Sequence, residues 1–375
     1  MKKLIYAFYA FLFNLSAKLF KIKNNRVAFV SMHNEGFNDS LGEVRKVLEE
    51  KGGYEFVLIT RKDLEMKLKN VPGALSFFFV KSRKLATAKF VFLNDNFLPM
   101  SGCNFQKDAV VVQLWHAEGV FKKFGLSIPQ PEQVRKNEIA SNKRLSFVVC
   151  SSKNVVPYYA EAFGVSEDKV LPLGTPRTDR FFKKENLEAA KENFYKKYPS
   201  LKRKKLVLYA PTFRDDPEQN EKLLENFDAE RLMKILGDEY ALLLRLHPQI
   251  RPKTARLNGT IDVTEYPDVR ELVVVCDALI TDYSSICMDF SLLDKKTVFF
   301  AYDLEEYRKS RDFYFDYADY VPGPVTPCVE DAAKALLAPF DREKNEKFKR
   351  FNFDYADSES ARRVVEEIIK KGCLK

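Results

Sequence analysis

The chain reads as an α/β protein of two similar halves, each a parallel sheet with helices on both faces, preceded by a basic amphipathic helix. Three observations predict this. From Arg26 onward, short apolar strands alternate with amphipathic helices, the order that buries a parallel sheet between helical layers. The alternation pauses at a charged, helical stretch from Thr175 to Lys205 and then resumes. A length of 375 residues also favours roughly two domains.

The first segment is Met1-Lys2-Lys3, an apolar run from Leu4 to Phe13, then Asn14, Ser16, Lys18, Lys21, Lys23 and Arg26, with no acidic residue before Glu35. Its apolar part is shorter than the roughly 18 residues a bilayer span needs. It has the outline of a signal peptide but no clean small-residue cleavage site. A helix lying on an anionic membrane surface fits better, and a helix packed on the first domain fits equally.

Strands are expected at Val27–Ser31, Tyr54–Thr60, Phe90–Asn94, Ala109–Trp115, Phe147–Ser151 and Val170–Leu173, with helices at Leu41–Glu50 and Val155–Phe163 between them. A second series follows at Leu206–Tyr209, Ala241–Leu246, Ile261–Thr264, Ala278–Thr281 and Val298–Ala301. A final helix from Ser358 to Lys371 aligns Ala361, Val364, Val365, Ile368 and Ile369 on one face, and Gly372 is placed to end it. The chain thus divides into a surface helix (1–25), a first domain (26–185), a second (186–355) and a C-terminal helix (356–375), for which a return to the first domain is one option. Two such halves enclose a cleft between facing strand ends, where ligands of open α/β sheets bind.

Hydrophobic residues at 46% and charged residues at 31% exclude a disordered chain. A net charge of +9 and a pI near 9.0 favour an anionic partner: nucleotide, phosphorylated polymer, nucleic acid or acidic membrane. No nucleic-acid-binding module is recognisable. Cysteines at 103, 150, 276, 287, 328 and 373 form no CxxC pair, and three histidines offer no zinc-site spacing, so reduced cytosolic thiols are expected. Neither a GxGxxG nor a P-loop fingerprint occurs.

Polar groups cluster where strands end. The run Val111-Val112-Gln113-Leu114-Trp115-His116-Ala117-Glu118-Gly119 delivers His116 from a buried strand, and Lys122 and Lys123 follow to meet an anion; a satisfied core histidine is the plainer alternative. The loop Ser31 to Ser40 leaves the first strand and enters a helix, either rimming the cleft or simply capping that helix through Asp39 or Asn38. In Leu173-Gly174-Thr175-Pro176-Arg177, the guanidinium suits a forked phosphate contact or a surface ion pair. Tyr209-Ala210-Pro211-Thr212-Phe213-Arg214 closes another strand. Arg245 and His247, two apart in a strand, share a face and suit a diphosphate, and Pro248 turns the chain away. Thr281-Asp282-Tyr283-Ser284-Ser285 opens a helix whose free N–H groups hold a phosphate or are merely capped by serine. Asp289, four residues on, shares that helical face and can accept a ligand hydroxyl.

Taken together, Trp115-His116 with Gly119 and Lys122-Lys123, Gly174-Thr175-Pro176-Arg177, Ala210 to Arg214, Arg245-Leu246-His247-Pro248 and Thr281 to Ser285 resemble, in order, the CDP-glycerol glycerophosphotransferases of teichoic-acid synthesis. The resemblance runs from Val27 to the C-terminus. It implies a GT-B-like fold of two Rossmann-like domains, acceptor-side first and CDP-polyol donor second. It implies transfer of glycerol phosphate from CDP-glycerol to a hydroxyl of a polyol-phosphate polymer or lipid-linked glycan, releasing CMP, by a peripheral protein on the cytoplasmic face of the plasma membrane. Carried over by position, His116 is the general base and His247 the second catalytic histidine. The donor contacts are Trp115, Ala117, Glu118, Gly119, Arg177, Pro211, Thr212, Arg245, Ser284, Ser285 and Asp289. One departure stands out: many members carry glycine directly after the first histidine, where this chain has Ala117-Glu118-Gly119.

In the implied reaction His116 takes the acceptor proton, while Arg245, His247 and the Ser284-Ser285 helix start stabilise charge on the diphosphate and departing CMP. This logic requires no cofactor; magnesium is compatible with it but not indicated. Alternatives are a CDP-ribitol transferase of the same kind, a GT-B nucleotide-sugar glycosyltransferase, and a non-catalytic protein that binds anionic lipid or nucleic acid.

Overall fold

The computed structural model describes residues 2–33, 36–37, 39–64, 71–214, 216–247, 250 and 257–374. The chain forms two compact units, one of Met1–Asp179 with Asn352–Lys375 and one of Arg180–Phe351.

In the first unit six parallel strands, β1 (Lys23–Ser31), β2 (Glu55–Thr60), β3 (Ala88–Leu93), β4 (Val110–Gln113), β5 (Phe147–Cys150) and β6 (Val170–Pro172), lie in the order β2-β1-β3-β4-β5-β6. Helices cover both faces of such a sheet, so its central strands read as unbroken apolar runs. Val27, Phe29, Phe90, Phe92, Val110 and Val112 turn to one side and pack against Leu41, Val44 and Leu48 of the helix Ser40–Lys51. Ala361, Val364, Val365 and Ile368 of the C-terminal helix, Ser360–Cys373, complete that layer, so the end of the chain is part of the first unit's core. Asp179 begins this helix, accepting from the amides of Ser360 (3.0 Å) and Ala361 (2.8 Å).

The N-terminal helix, Lys2–Leu19, also belongs to this unit. Tyr9 and Phe13 are fully buried, Tyr9 stacking on Phe77 at 4.6 Å and Phe13 meeting Phe105 at 4.8 Å. Its other face leaves Leu4, Phe8, Phe11, Leu15 and Leu19 exposed. No described helix is long and apolar enough to cross a membrane.

The second unit repeats the plan with β7 (Lys205–Tyr209), β8 (Tyr240–Leu244), β9 (Ile261–Asp262), β10 (Ala278–Thr281), β11 (Lys296–Phe300) and β12 (Val325–Thr326), ordered β12-β11-β10-β7-β8-β9 and all parallel. Val207, Tyr209, Leu242, Leu244, Ile280, Val298 and Phe300 form its core with Leu232, Leu236, Ala332, Ala333 and Leu336 from flanking helices.

Four expectations need correction. β4 stops at Gln113 rather than Trp115, because Trp115 adopts a left-handed backbone (φ 58°). β8 stops at Leu244; Arg245 still donates its amide to the Tyr209 carbonyl at 2.9 Å, but His247 lies beyond the strand, so the shared-face rule for strands does not govern the pair. β12 was not anticipated: its Val325-Thr326 pair lies between Pro324 and Pro327, which read as loop, whereas the equally short β9 is followed by Val263 and Thr264. Gly372 does not end the last helix, which continues to Cys373. A Cβ at Gly372 would lie 2.6 Å from Phe90 Cε1, so glycine here permits close packing on the sheet.

Candidate active site

In the first unit the polar residues gather past the carboxyl ends of β1, β3 and β4, which are neighbours in the sheet. Asn94, fully buried, ties these ends together. Its side-chain oxygen accepts from the amides of Met32 (2.8 Å) and His33 (3.3 Å), and its amide nitrogen donates to Asp39 (2.6 Å). Asp39 in turn caps the helix at Ser40, accepting from the Leu41 amide. Asn38, the other candidate cap, lies outside the described residues.

The left-handed turn at Trp115 follows, its amide donating to Gln113 Oε1 at 3.0 Å. The indole packs on Phe124 at 5.3 Å and edge-on to Phe163 at 5.2 Å. That fixes the direction in which His116 leaves the strand. His116 Nδ1 lies 3.2 Å from the Asn94 carbonyl oxygen. A carbonyl only accepts, so this contact selects the tautomer with the proton on Nδ1 and leaves Nε2 with the lone pair. Burial pushes the His116 pKa down to about 4 against the opposing pull of the Asp95 carboxylate, so the ring is neutral at pH 7. For Asp95 itself, burial acts upward, but the neighbouring imidazoles of His33 and His116 and the bond from the Asn96 amide outweigh it and hold the carboxyl below its usual range.

The residues after His116 are fastened one by one. Ala117 accepts from the Tyr159 hydroxyl at 3.0 Å. Glu118, with a side chain only 1% exposed, is ion-paired with Arg177, whose own side chain is 14% exposed. Gly119 takes φ 56° and donates to Ser151 Oγ at 2.9 Å; the next amide, Val120, donates to Asn352 Oδ1 at 3.0 Å. Lys122 and Lys123 are half-buried. The negative charge that the Ala117-Glu118-Gly119 departure introduces is therefore met by Arg177 within the same unit. Gly174, at φ 86°, brings its strand end against Ser360 of the C-terminal helix.

In the second unit two motifs meet through a buried ion network. Arg214, its side chain 3% exposed, reaches Asp282 at 3.0 Å and Asp303 at 2.8 Å, and its guanidinium lies 5.0 Å from the ring centroids of both Tyr283 and Tyr307, which stack on each other. Despite its burial, the two carboxylates hold its pKa above the ordinary value. Asp282 Oδ1 also accepts from the amides of Thr212 (2.7 Å) and Tyr283 (2.6 Å). The Ala210–Arg214 and Thr281–Ser285 segments are thus locked side by side at the ends of β7 and β10. Pro211 is buried, and the Thr212 hydroxyl is buried without a hydrogen-bond partner among the described residues.

Ser284 Oγ accepts weakly from Ile286 (3.4 Å) at the start of the helix Ile286–Leu292, Ser285 is half-buried, and Asp289 is buried in its first turn. Arg245 donates to the carbonyls of Val263 (3.1 Å) and Tyr266 (2.8 Å), and so braces the loop after β9. His247 is exposed and stacks on Phe213 at 4.6 Å. Pro248 lies outside the described residues. Nothing in the spacing singles out Asn94, Asp95, Arg214 or Asp303; the one signal was a pair of short polar residues, Asn94-Asp95, directly after an apolar strand.

A family model described as CDP-glycerol:poly(glycerophosphate) glycerophosphotransferase matches residues 11–370. The chain is 33% identical over 367 residues to the teichoic acid poly(ribitol-phosphate) polymerase of Bacillus spizizenii, covering 94% of this chain and 57% of that protein, so it spans little more than half of the relative. It is 30% identical over 339 residues to the teichoic acid glycerol-phosphate transferase of Staphylococcus aureus, covering 87% of this chain and 86% of the other. Among solved structures, that of the wall teichoic acid polymerase TagF aligns with a TM-score of 0.75 at 23% identity, over 100% of this chain and 96% of that one. That likeness extends the GT-B-like fold to both units. With nearly the whole sequence matched by the family model, the chain belongs to the CDP-glycerol:poly(glycerophosphate) glycerophosphotransferase family.

Proposed function

We propose that the chain transfers a polyol phosphate from a CDP-polyol to a hydroxyl group of a teichoic-acid-like or capsular polymer, or of its lipid-linked primer, and releases CMP. The observation that carries this reading is His116, a neutral imidazole with its Nδ1 proton committed to a backbone carbonyl and Nε2 left to accept. The acceptor oxygen attacks the phosphorus bearing the polyol, the anhydride bond to CMP breaks, and the acceptor proton passes to Nε2. At a pKa of about 4 the isolated ring is a weak base, but an anionic diphosphate beside it raises its basicity. His247, Ser284, Ser285 and the unpartnered Thr212 hydroxyl are the groups we assign to the diphosphate, with Asp289 accepting from a ligand hydroxyl. Arg245 and Arg177 support loops rather than approach phosphate directly, given their carbonyl and Glu118 partners.

CDP-glycerol is the first reading of the donor, after the family description; CDP-ribitol is the second, favoured by the ribitol-phosphate relative. We place the enzyme on the cytoplasmic membrane face, in line with the exposed apolar side of its N-terminal helix. The test is CMP release from CDP-glycerol, CDP-ribitol and several sugar nucleotides in the presence of a lipid-linked acceptor. His116→Ala and His247→Ala should each lower the rate by about 10²–10⁴-fold with the fold intact. Near wild-type turnover in either variant removes that residue's role, and turnover of sugar nucleotides alone favours the glycosyltransferase. Salt-dependent binding without any turnover favours the non-catalytic reading.

A further inference from the structure

Two of the chain's three histidines meet over one carboxylate. His33 lies two residues past β1, Asp95 two past β3 and His116 three past β4, so three adjacent strands aim them at one place. One ligating atom from each lies within 4.8 Å of the other two. The imidazoles are parallel with centroids 4.1 Å apart, and each Nδ1 is 3.8 Å from Asp95 Oδ2. The other carboxylate oxygen, Oδ1, accepts from the Asn96 amide at 2.7 Å, and Gln113 holds the Asp95 carbonyl at 3.2 Å. Asp95 is therefore oriented by its neighbours with a single oxygen turned to the rings.

We propose that His33, Asp95 and His116 bind one divalent transition metal ion of the zinc class, and that its occupancy switches His116 off as a base. Two imidazoles and one carboxylate oxygen suit zinc; magnesium prefers an all-oxygen shell. Zinc bonds of about 2.0–2.2 Å set tetrahedral ligand atoms roughly 3.3–3.6 Å apart. The two Nδ1–Oδ2 separations of 3.8 Å close to that range by a few tenths of an ångström, whereas the cluster as a whole spans up to 4.8 Å and the rings are parallel, so binding requires the half-exposed His33 to rotate out of its stack on His116. A neutral imidazole has one lone-pair nitrogen. Metal on Nε2 occupies the accepting atom, while metal on Nδ1 leaves the proton on Nε2. Either way the ring cannot take the acceptor's proton. The inhibition rests on the phosphotransfer reading above; the binding does not.

The full chain, stripped with chelator, is titrated with zinc chloride by calorimetry, with magnesium chloride as the comparison. One zinc per chain is expected, with no magnesium heat, and cobalt(II) should give tetrahedral absorption bands. His33→Ala and Asp95→Ala, each with an unchanged circular dichroism spectrum, should weaken zinc binding at least about tenfold. CMP release should fall with the midpoint of zinc binding, return with EDTA, and shift in His33→Ala by the factor seen in the calorimetry. Absence of stoichiometric binding, equal binding in wild type and both variants, or binding that leaves CMP release unchanged overturns the proposal. If no CDP-polyol is turned over, the phosphotransfer reading fails, while calorimetry and the cobalt spectrum still decide the metal site.

Discussion

Gly119 concentrates the constraints on the loop that carries His116. Its backbone is left-handed, and a Cβ there would lie 2.3 Å from Asn352 Oδ1, the atom that accepts from the Val120 amide. Gly119→Ala therefore strains the backbone and displaces a hydrogen-bond partner at once, a loss of about 1–3 kcal/mol. The midpoint of denaturant unfolding should drop accordingly, and CMP release should fall although no functional side chain is removed. An unchanged midpoint would mean the loop is not fastened in this way. Breaking the Glu118–Arg177 pair should cost more. Arg177→Ala leaves a carboxylate buried without its cation, about 3–5 kcal/mol, measurable in the same unfolding experiment. At this scale the sequence exposed the residue types but not their partners. Arg177 reads as a phosphate ligand or as half of an ion pair, and nothing in one dimension shows that Glu118, 59 positions away, lies against it.

The terminal helices decide what each end of the chain does. Asp179 caps the C-terminal helix from a buried position, and burial, partly offset by bonds from Ser360 and Ala361, raises its pKa to about 6. A carboxyl whose folded pKa lies above its unfolded value contributes stability at acid pH that is lost as pH rises through the folded value. For Asp179 that window runs from roughly 4 to 6. Asp179→Asn should flatten the stability-versus-pH curve across this window; an unaltered curve would show that the carboxyl does not titrate there. At the other end, the helix Lys2–Leu19 buries Tyr9 and Phe13 yet exposes Phe8 and Phe11. Leu4→Asp with Phe11→Asp, sparing Phe8, which packs on Phe78 at 5.2 Å, should reduce cosedimentation with anionic lipid vesicles while leaving the fold unchanged, and equal sedimentation would sink the membrane assignment. Of the two roles weighed for this helix from sequence, packing on the first unit takes one face and leaves the other for the proposed membrane contact, and periodicity alone does not say that one face is covered. The C-terminal helix was legible because its apolar stripe repeats at i, i+3, i+4. The role of Gly372 was not, since a packing glycine and a terminating glycine look the same in one dimension.

On the scale of the whole molecule, the doubled α/β plan was readable because parallel strands buried on both faces are continuous apolar runs. Eleven of the twelve described strands were anticipated, most from such runs, and the missing one is β12, whose two residues lie between Pro324 and Pro327. The ends of those strands were less readable: Trp115 turns by a positive φ, and β8 ends at Leu244, with one last backbone bond from Arg245 to Tyr209 before the chain reaches His247. The candidate site residues lie at those ends in both units; the sequence named the segments but gave no role to the residues that tie them together, Asn94 in one unit and Arg214 in the other. The account's central claim is polyol-phosphate transfer, and mass spectrometry of products on a synthetic lipid-linked acceptor tests it most directly. With CDP-glycerol or CDP-ribitol supplied, it predicts acceptor mass rising by whole glycerol phosphate or ribitol phosphate units, one CMP per unit added. An acceptor left unchanged by both donors, or extended by a hexose from a sugar nucleotide instead, would contradict it.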